Sequence, residues 1–125
     1  MDTVDARRLV ERYWNDVWRD GRLDVVDEIY TEPFTRHSSI GTELTTHAAY
    51  KKVLQEAQRT LARPVTTIDD FAVVDDRIWT RATSRGVNLE TSEIAVVSWL
   101  MVQRVEADRI AEQWVAVQRG IDWEG

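Results

Sequence analysis

A strand pattern is clearest at residues 77–85, which read RIWTRATSR. The odd positions carry arginines, Trp79 and a threonine, whereas the even positions carry Ile78 and small residues. Because successive side chains of a strand point to opposite faces, this order predicts a strand whose two faces differ in polarity. The residues on either side of this strand divide the chain into a helical first half and a sheet-forming second half.

The second half of the chain predicts four long strands joined as an antiparallel meander. Their segments are rich in β-branched residues or alternate with period two, and they cover residues 65–74, 77–89, 93–105 and 109–118. Asp75-Asp76 and Ala107-Asp108 are typical turn pairs between consecutive strands. The segment 93–105 is apolar on both faces, which indicates an internal strand. One further short strand is predicted at residues 34–37.

The first half of the chain predicts three helices, because its apolar residues recur at spacings of three and four. The apolar stripes consist of Ala6, Val10, Tyr13, Trp14, Val17 and Trp18 in the first helix, Leu23, Val26, Ile29 and Tyr30 in the second, and Tyr50, Val53, Leu54, Ala57 and Leu61 in the third. Asp2 or Thr3 can cap the first helix, and Thr45 or Thr46 the third. Gly21 suits a left-handed helix end. Helices on one side of an antiparallel sheet define an α+β fold.

Length and composition narrow the class of protein. A chain of 125 residues has the length of one domain, so we expect residues 1–125 to form a single domain. The net charge of −6 disfavours nucleic acid as a partner. No apolar run reaches the ~18 residues of a membrane span and no secretory leader is recognisable, so we expect a cytoplasmic protein without a membrane partner. No nucleotide-binding or metal-binding motif is present, so neither a cofactor nor a metal is expected.

Four short motifs follow one another along the chain. They are residues 10–18 (VERYWNDVW), residues 21–24 (GRLD), residues 34–37 (FTRH) with Gly41, and residues 104–106 (RVE) with residues 109–114 (RIAEQW). In this order they resemble the SnoaL-like polyketide cyclase group of the nuclear transport factor 2-like (NTF2-like) superfamily. The resemblance implies a cone in which three N-terminal helices pack on a curved, mostly antiparallel sheet and enclose a pocket. It also implies a hydrophobic small molecule as partner and a homodimer through the outer face of the sheet.

His37 and Glu112 are the candidate catalytic residues. The resemblance places His37 where the superfamily's ketosteroid isomerases carry their base carboxylate, and an imidazole exchanges protons near neutral pH. The resemblance also implies that the strand face carrying Glu112 and Trp114 looks into the pocket, where burial would raise the pKa of the Glu112 carboxyl. The alternatives are a structural His37 bonded to a backbone carbonyl, and a Glu112 paired with Arg81 or Arg104.

The acid that the resemblance implies on the last strand is absent. The two positions where an Asp is expected hold Gln118 and Val115, and neither side chain exchanges a proton at neutral pH. Gln118 is therefore a candidate for substrate binding. The other predicted substrate-binding residues are aromatic, namely Tyr13, Trp14, Phe71, Trp99 and Trp114. The alternative is that the tryptophans fill the core or a dimer interface, for which Trp79 is the best candidate.

Three hypotheses for the function remain open. The first is a cofactor-free enzyme of the cyclase or isomerase type, which transfers protons on a small hydrophobic, polyketide-, terpenoid- or steroid-like molecule through His37. The second is a non-catalytic protein that binds such a molecule, and the third is a structural dimerisation module. A pocket with His37 and either Glu112 or Gln118 facing into it would favour the enzyme. The other histidine, His47, is expected to be solvent-facing or part of a helix cap and enters none of these hypotheses.

Overall fold

Three helical regions precede the long strands in the computed structural model, which describes all residues from Met1 to Gly125. α1 spans Thr3–Glu11 and continues without a break as a π-helical segment over Arg12–Arg19. A short 3₁₀ turn, Leu23–Val25, leads into α2, Val26–Ile29. α3 spans His47–Ala57. The three predicted helices are therefore present, although the first changes its hydrogen-bond pattern halfway.

One residue of each predicted pair caps its helix. The Asp2 carboxylate accepts from the backbone N–H of Asp5 at 2.8 Å at the start of α1. The Thr46 hydroxyl accepts from the N–H of Ala49 at 3.2 Å at the start of α3. Each bond satisfies a donor that the first turn of a helix leaves free. Gly21 has a φ of 69°, so it adopts the left-handed conformation that was expected where the first helix ends.

The sheet contains six strands in the order β2-β1-β6-β5-β4-β3. The strands are β1 (Tyr30–Ser38), β2 (Gly41–Thr45), β3 (Ala62–Val74), β4 (Arg77–Val87), β5 (Ile94–Glu106) and β6 (Arg109–Arg119). All neighbouring pairs are antiparallel except β1 and β6, which are parallel. The predicted meander of four long strands is confirmed, and β5 is internal as expected.

β2 is the one strand that the sequence did not predict. The chain turns after Ser38 and runs back along β1, and Gly41 supports this turn with a φ of 101°. β2 lies at the edge of the sheet with β1 as its only neighbour, and most of its residues are exposed. It therefore lacks the alternating apolar pattern by which a half-buried strand is recognised. The segment 38–41, expected as a loop, is the tip of a hairpin.

The helices cover one face of the sheet, here called the inner face, and leave the opposite outer face free. A cluster of 20 buried residues fills the space between the helices and the inner face. Trp14 and Trp18 of the π-helical segment pack on Trp99 of β5, with ring centroids 5.1 and 5.6 Å apart. On β6 the amide nitrogen of Gln113 donates to the hydroxyl of Tyr50 on α3 at 3.4 Å. The inner face of β6 therefore contains the odd-numbered residues from Gln113 onwards.

The C-terminal residues 120–125 fold back over one end of the outer face. The Ser98 hydroxyl donates to the carbonyl oxygen of Ile121 at 2.7 Å, and Arg85 pairs with Asp122 at 2.6 Å. Ser98 is completely buried as a result, although it lies on the face that the helices do not cover. The remainder of the outer face stays open.

His47 is the first residue of α3, directly after its cap Thr46, so the expected position in the cap region is found. It is buried rather than solvent-facing, with 11% of its side chain exposed. Its Nε2 lies 2.9 Å from the carbonyl oxygen of Tyr30 and 3.0 Å from that of Thr31. Its Nδ1 lies 3.0 Å from Oδ1 of Asp27 and 2.9 Å from Oε2 of Glu32. The imidazole therefore ties α2 and the start of β1 to the first turn of α3.

Candidate functional site

A cavity of about 420 Å³ lies between the inner face of the sheet, the π-helical segment and α3. Most of its wall is apolar and comprises Trp18, Val53, Leu54, Ala57, Trp99, Val115 and Val117 together with the ring of Tyr13. A concave, mostly apolar cavity of this volume suits a small organic molecule. This inner cavity occupies the position that the sequence predicted for a pocket.

One end of the inner cavity is a network of buried hydroxyl and amide groups. The hydroxyls of Tyr13 and Tyr50 are 2.8 Å apart, and Tyr50 also accepts from the Gln113 amide. The Gln113 carbonyl oxygen accepts from the Tyr30 hydroxyl at 2.5 Å and from the Gln103 amide at 2.9 Å. Burial raises the pKa of Tyr13 and of Tyr30 well above the ordinary value of a phenol. Both phenols are therefore neutral at physiological pH and retain their protons as hydrogen-bond donors.

Two arginines provide the formal charge of the lining. The guanidinium carbon of Arg36, a residue of β1, is 5.6 Å from the ring centre of Tyr50. Only 15% of the Arg36 side chain is exposed. Its Nη1 is 3.3 Å from Ser38 Oγ and 3.3 Å from Glu43 Oε1. Arg119, at the end of β6, is exposed, and its side chain forms no salt bridge. No acidic residue lines the cavity.

His37 and Glu112 lie together, but on the outer face. The His37 Nε2 is 2.7 Å from Glu112 Oε2, and its Nδ1 is 2.8 Å from the Thr42 hydroxyl. The imidazole stacks on Trp114 with centroids 4.9 Å apart, and Arg104 donates to Glu112 at 3.0 Å. The expectation that this face of β6 looks into the pocket is therefore wrong, because Gln113 and the valines that follow it occupy the inner face. The predicted alternative, a Glu112 paired with Arg104, is the arrangement found.

The pKa of Glu112 is lowered rather than raised. The largest cause is the hydrogen bond from His37, followed by the contacts with Arg104. A carboxyl with a lowered pKa in the folded state stabilises the fold above its unfolded pKa of ~4.3. This contribution decreases as the pH falls through the lower folded value.

Replacing Glu112 by Gln should consequently reduce stability most at neutral pH. We expect the difference in unfolding free energy between wild type and Glu112→Gln to narrow as the pH falls from 7 towards 3, because wild-type Glu112 then becomes neutral as well. Urea denaturation at pH 7, 5, 4 and 3 measures this difference. A gap of constant size across the series would show that the charge of Glu112 does not stabilise the fold.

The predicted aromatic residues divide between the cavity and other places. Tyr13 and Trp99 line the inner cavity. Trp14 is 1% exposed and packs behind them in the core, so it is not part of the wall. Phe71 is half-buried on β3 outside the cavity, with the guanidinium of Arg7 5.3 Å from its ring centre. Only two of these four side chains are therefore in position to contact a ligand there.

Trp114 and Gln118 lie on the outer face, so they do not contact the inner cavity. Trp114 borders an open groove of about 730 Å³ on that face. The groove also contains Trp79 and Leu100, whose exposed fractions are 49% and 48%. Exposed apolar patches on a sheet are typical of protein interfaces. The homodimer through this face nevertheless stays a prediction.

Sequence reasoning did not propose Arg36, Tyr50 or Gln113 as site residues, although all three line the inner cavity. A signal was present for Arg36, because it follows Phe34 by two residues and so shares the face of a large apolar side chain. Gln113 likewise shares a face with Val115 and Val117. Tyr50 was predicted as part of the buried stripe of the third helix, and the partners of its hydroxyl become visible only in the structure.

Three helices packed on a curved six-stranded sheet with a cavity between them define the NTF2-like α+β cone. The sequence model described as the SnoaL-like domain matches residues 10–113. This match covers most of the chain, so the protein belongs to the SnoaL-like domain family. No curated protein matches the sequence. None of the helices has the length and apolar character that a membrane crossing requires.

Several solved structures share the fold at low sequence identity. A proposed polyketide cyclase from Acidithiobacillus ferrooxidans aligns with a TM-score of 0.84 at 15% identity, over 94% of this chain and 92% of that chain. IdmH, a proposed polyketide cyclase from Streptomyces antibioticus, gives 0.75 at 19% identity over 91% of each chain. TsrD from Streptomyces laurentii gives 0.77 at 16% identity over 94% and 91%. These similarities confirm the predicted fold class.

Proposed function

We propose that the protein binds a small, mostly aromatic molecule with a carbonyl-type oxygen in the inner cavity, and that it does so without acid/base catalysis. One observation carries this proposal: the ionisable groups of the lining are two tyrosines and two arginines, with no carboxylate, imidazole, thiol or amine. Phenols and guanidinium groups ordinarily lose their protons at pH ~10 and above. The cavity therefore offers hydrogen bonds and apolar contacts at neutral pH, but no side chain suited to carry a proton to or from a substrate.

The two tyrosines are arranged to orient such a ligand. The Tyr50 hydroxyl accepts from Gln113, and either hydroxyl of the Tyr13–Tyr50 pair can be the donor. When Tyr50 donates to Tyr13, the Tyr13 hydroxyl hydrogen is free for a ligand. A neutral phenol in this place donates a hydrogen bond to a ligand oxygen. The flat apolar surfaces of Trp18 and Trp99 suit an aromatic body.

The second candidate is a proton-transferring enzyme of the cyclase or isomerase type. It is favoured by the description of two similar structures as proposed polyketide cyclases. In that case His37 would be required for turnover, yet both of its ring nitrogens are engaged on the outer face, by Thr42 and Glu112. The two candidates differ in the site that they use, the inner cavity for the binding protein and His37 on the outer face for the enzyme. A matched pair of variants at Tyr13 and His37 therefore shows which of the two sites a ligand contacts.

The test measures binding of 2-acetylnaphthalene, a flat molecule with one carbonyl oxygen, by isothermal titration calorimetry. Tyr13→Phe removes the hydroxyl donor and keeps the ring. We expect the Kd for 2-acetylnaphthalene to increase about fivefold to tenfold, which corresponds to the loss of one hydrogen bond. Naphthalene, which has no oxygen, should bind wild type and Tyr13→Phe equally well.

His37→Gln is the control on the outer face, and it should bind 2-acetylnaphthalene as the wild type does. If the wild type binds neither compound, or if His37→Gln weakens binding as much as Tyr13→Phe does, the inner cavity is not the binding site that we propose.

A further inference from the structure

The inner cavity differs in charge from the rest of the protein. The chain has 22 acidic and 16 basic residues and a net charge of −6. The lining of the cavity, in contrast, contains Arg36 and Arg119 and no acidic residue. A concave site with low-dielectric walls concentrates the field of the charges that line it. The charge of the lining therefore favours an anionic ligand, although the protein as a whole is negatively charged.

The guanidinium of Arg36 has unused hydrogen-bonding capacity. Its contacts with Ser38 and Glu43 both involve Nη1. Its Nε has no hydrogen-bond partner although it is buried, and Nη2 forms no hydrogen bond to the protein. An arginine carries five N–H donors in a planar fork, and an unmet buried donor costs free energy. A ligand group that accepts from Arg36 would therefore satisfy donors that the protein leaves free.

Arg36 lies at the same end of the cavity as the tyrosine pair. Its guanidinium is next to the ring of Tyr50, and the hydroxyl of Tyr50 is 2.8 Å from that of Tyr13. Donors of two kinds, a guanidinium and a phenol, thus converge on one region. A carboxylate has two acceptor oxygens and suits such a pair of donors better than a ketone with its single oxygen.

Arg119 adds a second positive charge at the rim of the cavity. It is the last residue of β6 and shares the inner face with Gln113, because both positions are odd-numbered in the same strand. Its side chain is exposed and pairs with no carboxylate. From this position it attracts an anion mainly over a distance, an effect that salt weakens.

We infer that the ligand of the inner cavity is an aromatic carboxylate whose anionic group is bound by Arg36 and attracted by Arg119. This inference rests on the proposed function and narrows its ligand to one chemical class. The aromatic body lies against Trp99 and Leu54, and the carboxylate accepts from the Arg36 guanidinium and the Tyr13 hydroxyl. Glu43 contacts only Nη1 of Arg36, so Nε of the guanidinium remains free to donate to the ligand.

The test compares two probes of nearly equal shape, 2-naphthoate and 2-acetylnaphthalene. The first carries a second, charged oxygen where the second carries a methyl group. We expect the wild type to bind 2-naphthoate about tenfold more tightly at low salt, as a charge-assisted hydrogen bond implies. Added NaCl should reduce this preference. Arg36→Gln should abolish the preference while 2-acetylnaphthalene still binds.

Arg119→Gln and Arg109→Gln form a matched pair, because they remove the same charge from opposite ends of β6. Arg119→Gln should weaken 2-naphthoate binding about threefold at low salt, whereas Arg109→Gln should not affect it. Equal wild-type affinity for the two probes, or equal effects of the two variants, would overturn the carboxylate inference while the binding function stands. Failure of the wild type to bind either probe would overturn both.

Discussion

Trp14→Ala is expected to destabilise the fold by about 3–5 kcal/mol, the cost of removing a large aromatic side chain from a packed core. Trp14 is 1% exposed. The centroid of its ring lies 4.8 Å from that of Tyr13 and 5.1 Å from that of Trp99, and both of these residues line the inner cavity. The variant should therefore lose stability and also loosen two walls of the cavity. Urea denaturation followed by far-UV circular dichroism measures the first effect.

Trp79→Ala is the matched control for this variant, because the same atoms are removed from the outer face. Trp79 is 49% exposed, so we expect a loss below about 1 kcal/mol in dilute solution. Losses of similar size for the two variants would contradict the assignment of Trp14 to the core and Trp79 to the surface. A loss at Trp79 that grows with protein concentration would instead show that a second copy covers the outer face.

His47→Gln is the second variant with a large expected effect, about 2–3 kcal/mol of stability. The four groups around the His47 ring, two backbone carbonyls and two carboxylates, are all hydrogen-bond acceptors. The two ring nitrogens lie on opposite sides of the imidazole, so one side chain reaches acceptors on both sides of the site. A glutamine amide has its two donors on one nitrogen, so it cannot serve acceptors on opposite sides of the site.

One measurement checks this prediction. Urea denaturation should show a larger loss for His47→Gln than for His37→Gln, because His37 has on one side the Thr42 hydroxyl, which can donate as well as accept. A smaller loss at His47 than at His37 would show that the His47 imidazole does not hold these elements together.

Local signals in the sequence were sufficient to predict most of the fold. The Asp2 and Thr46 caps, the turn at Gly21 and the clean alternation of residues 77–85 each depend on neighbours within a few positions. Such features are properties of the segment itself and carry over into the structure. β2 escaped prediction because a short exposed edge strand has no buried face to leave a pattern.

The candidate site was predicted less well, because it depends on which face of β6 meets the helices. Both faces of β6 mix polar and apolar residues. The even-numbered face carries Glu112 and Trp114, and the odd-numbered face carries Gln113. Gln113 is 1% exposed because Tyr30 and Gln103 satisfy its amide across the core. A contact of this kind joins residues far apart in the chain, and a one-residue error in facing moves every side chain of a strand to the other side.

The π-helical segment from Arg12 to Arg19 determines which deletions the inner cavity tolerates. A π-helical turn holds about one residue more than an α-helical turn, and such turns arise within α-helices as single-residue bulges. Tyr13 and Trp18 both line the cavity and are five residues apart, and α-helical turns would place them roughly 140° apart around the helix axis. Removing one residue between them would restore α-helical turns and give the two side chains the i, i+4 spacing that shares one face. In an alignment of relatives, a one-residue gap at this place would therefore mark proteins that keep both side chains in the cavity wall without the π-helical turns.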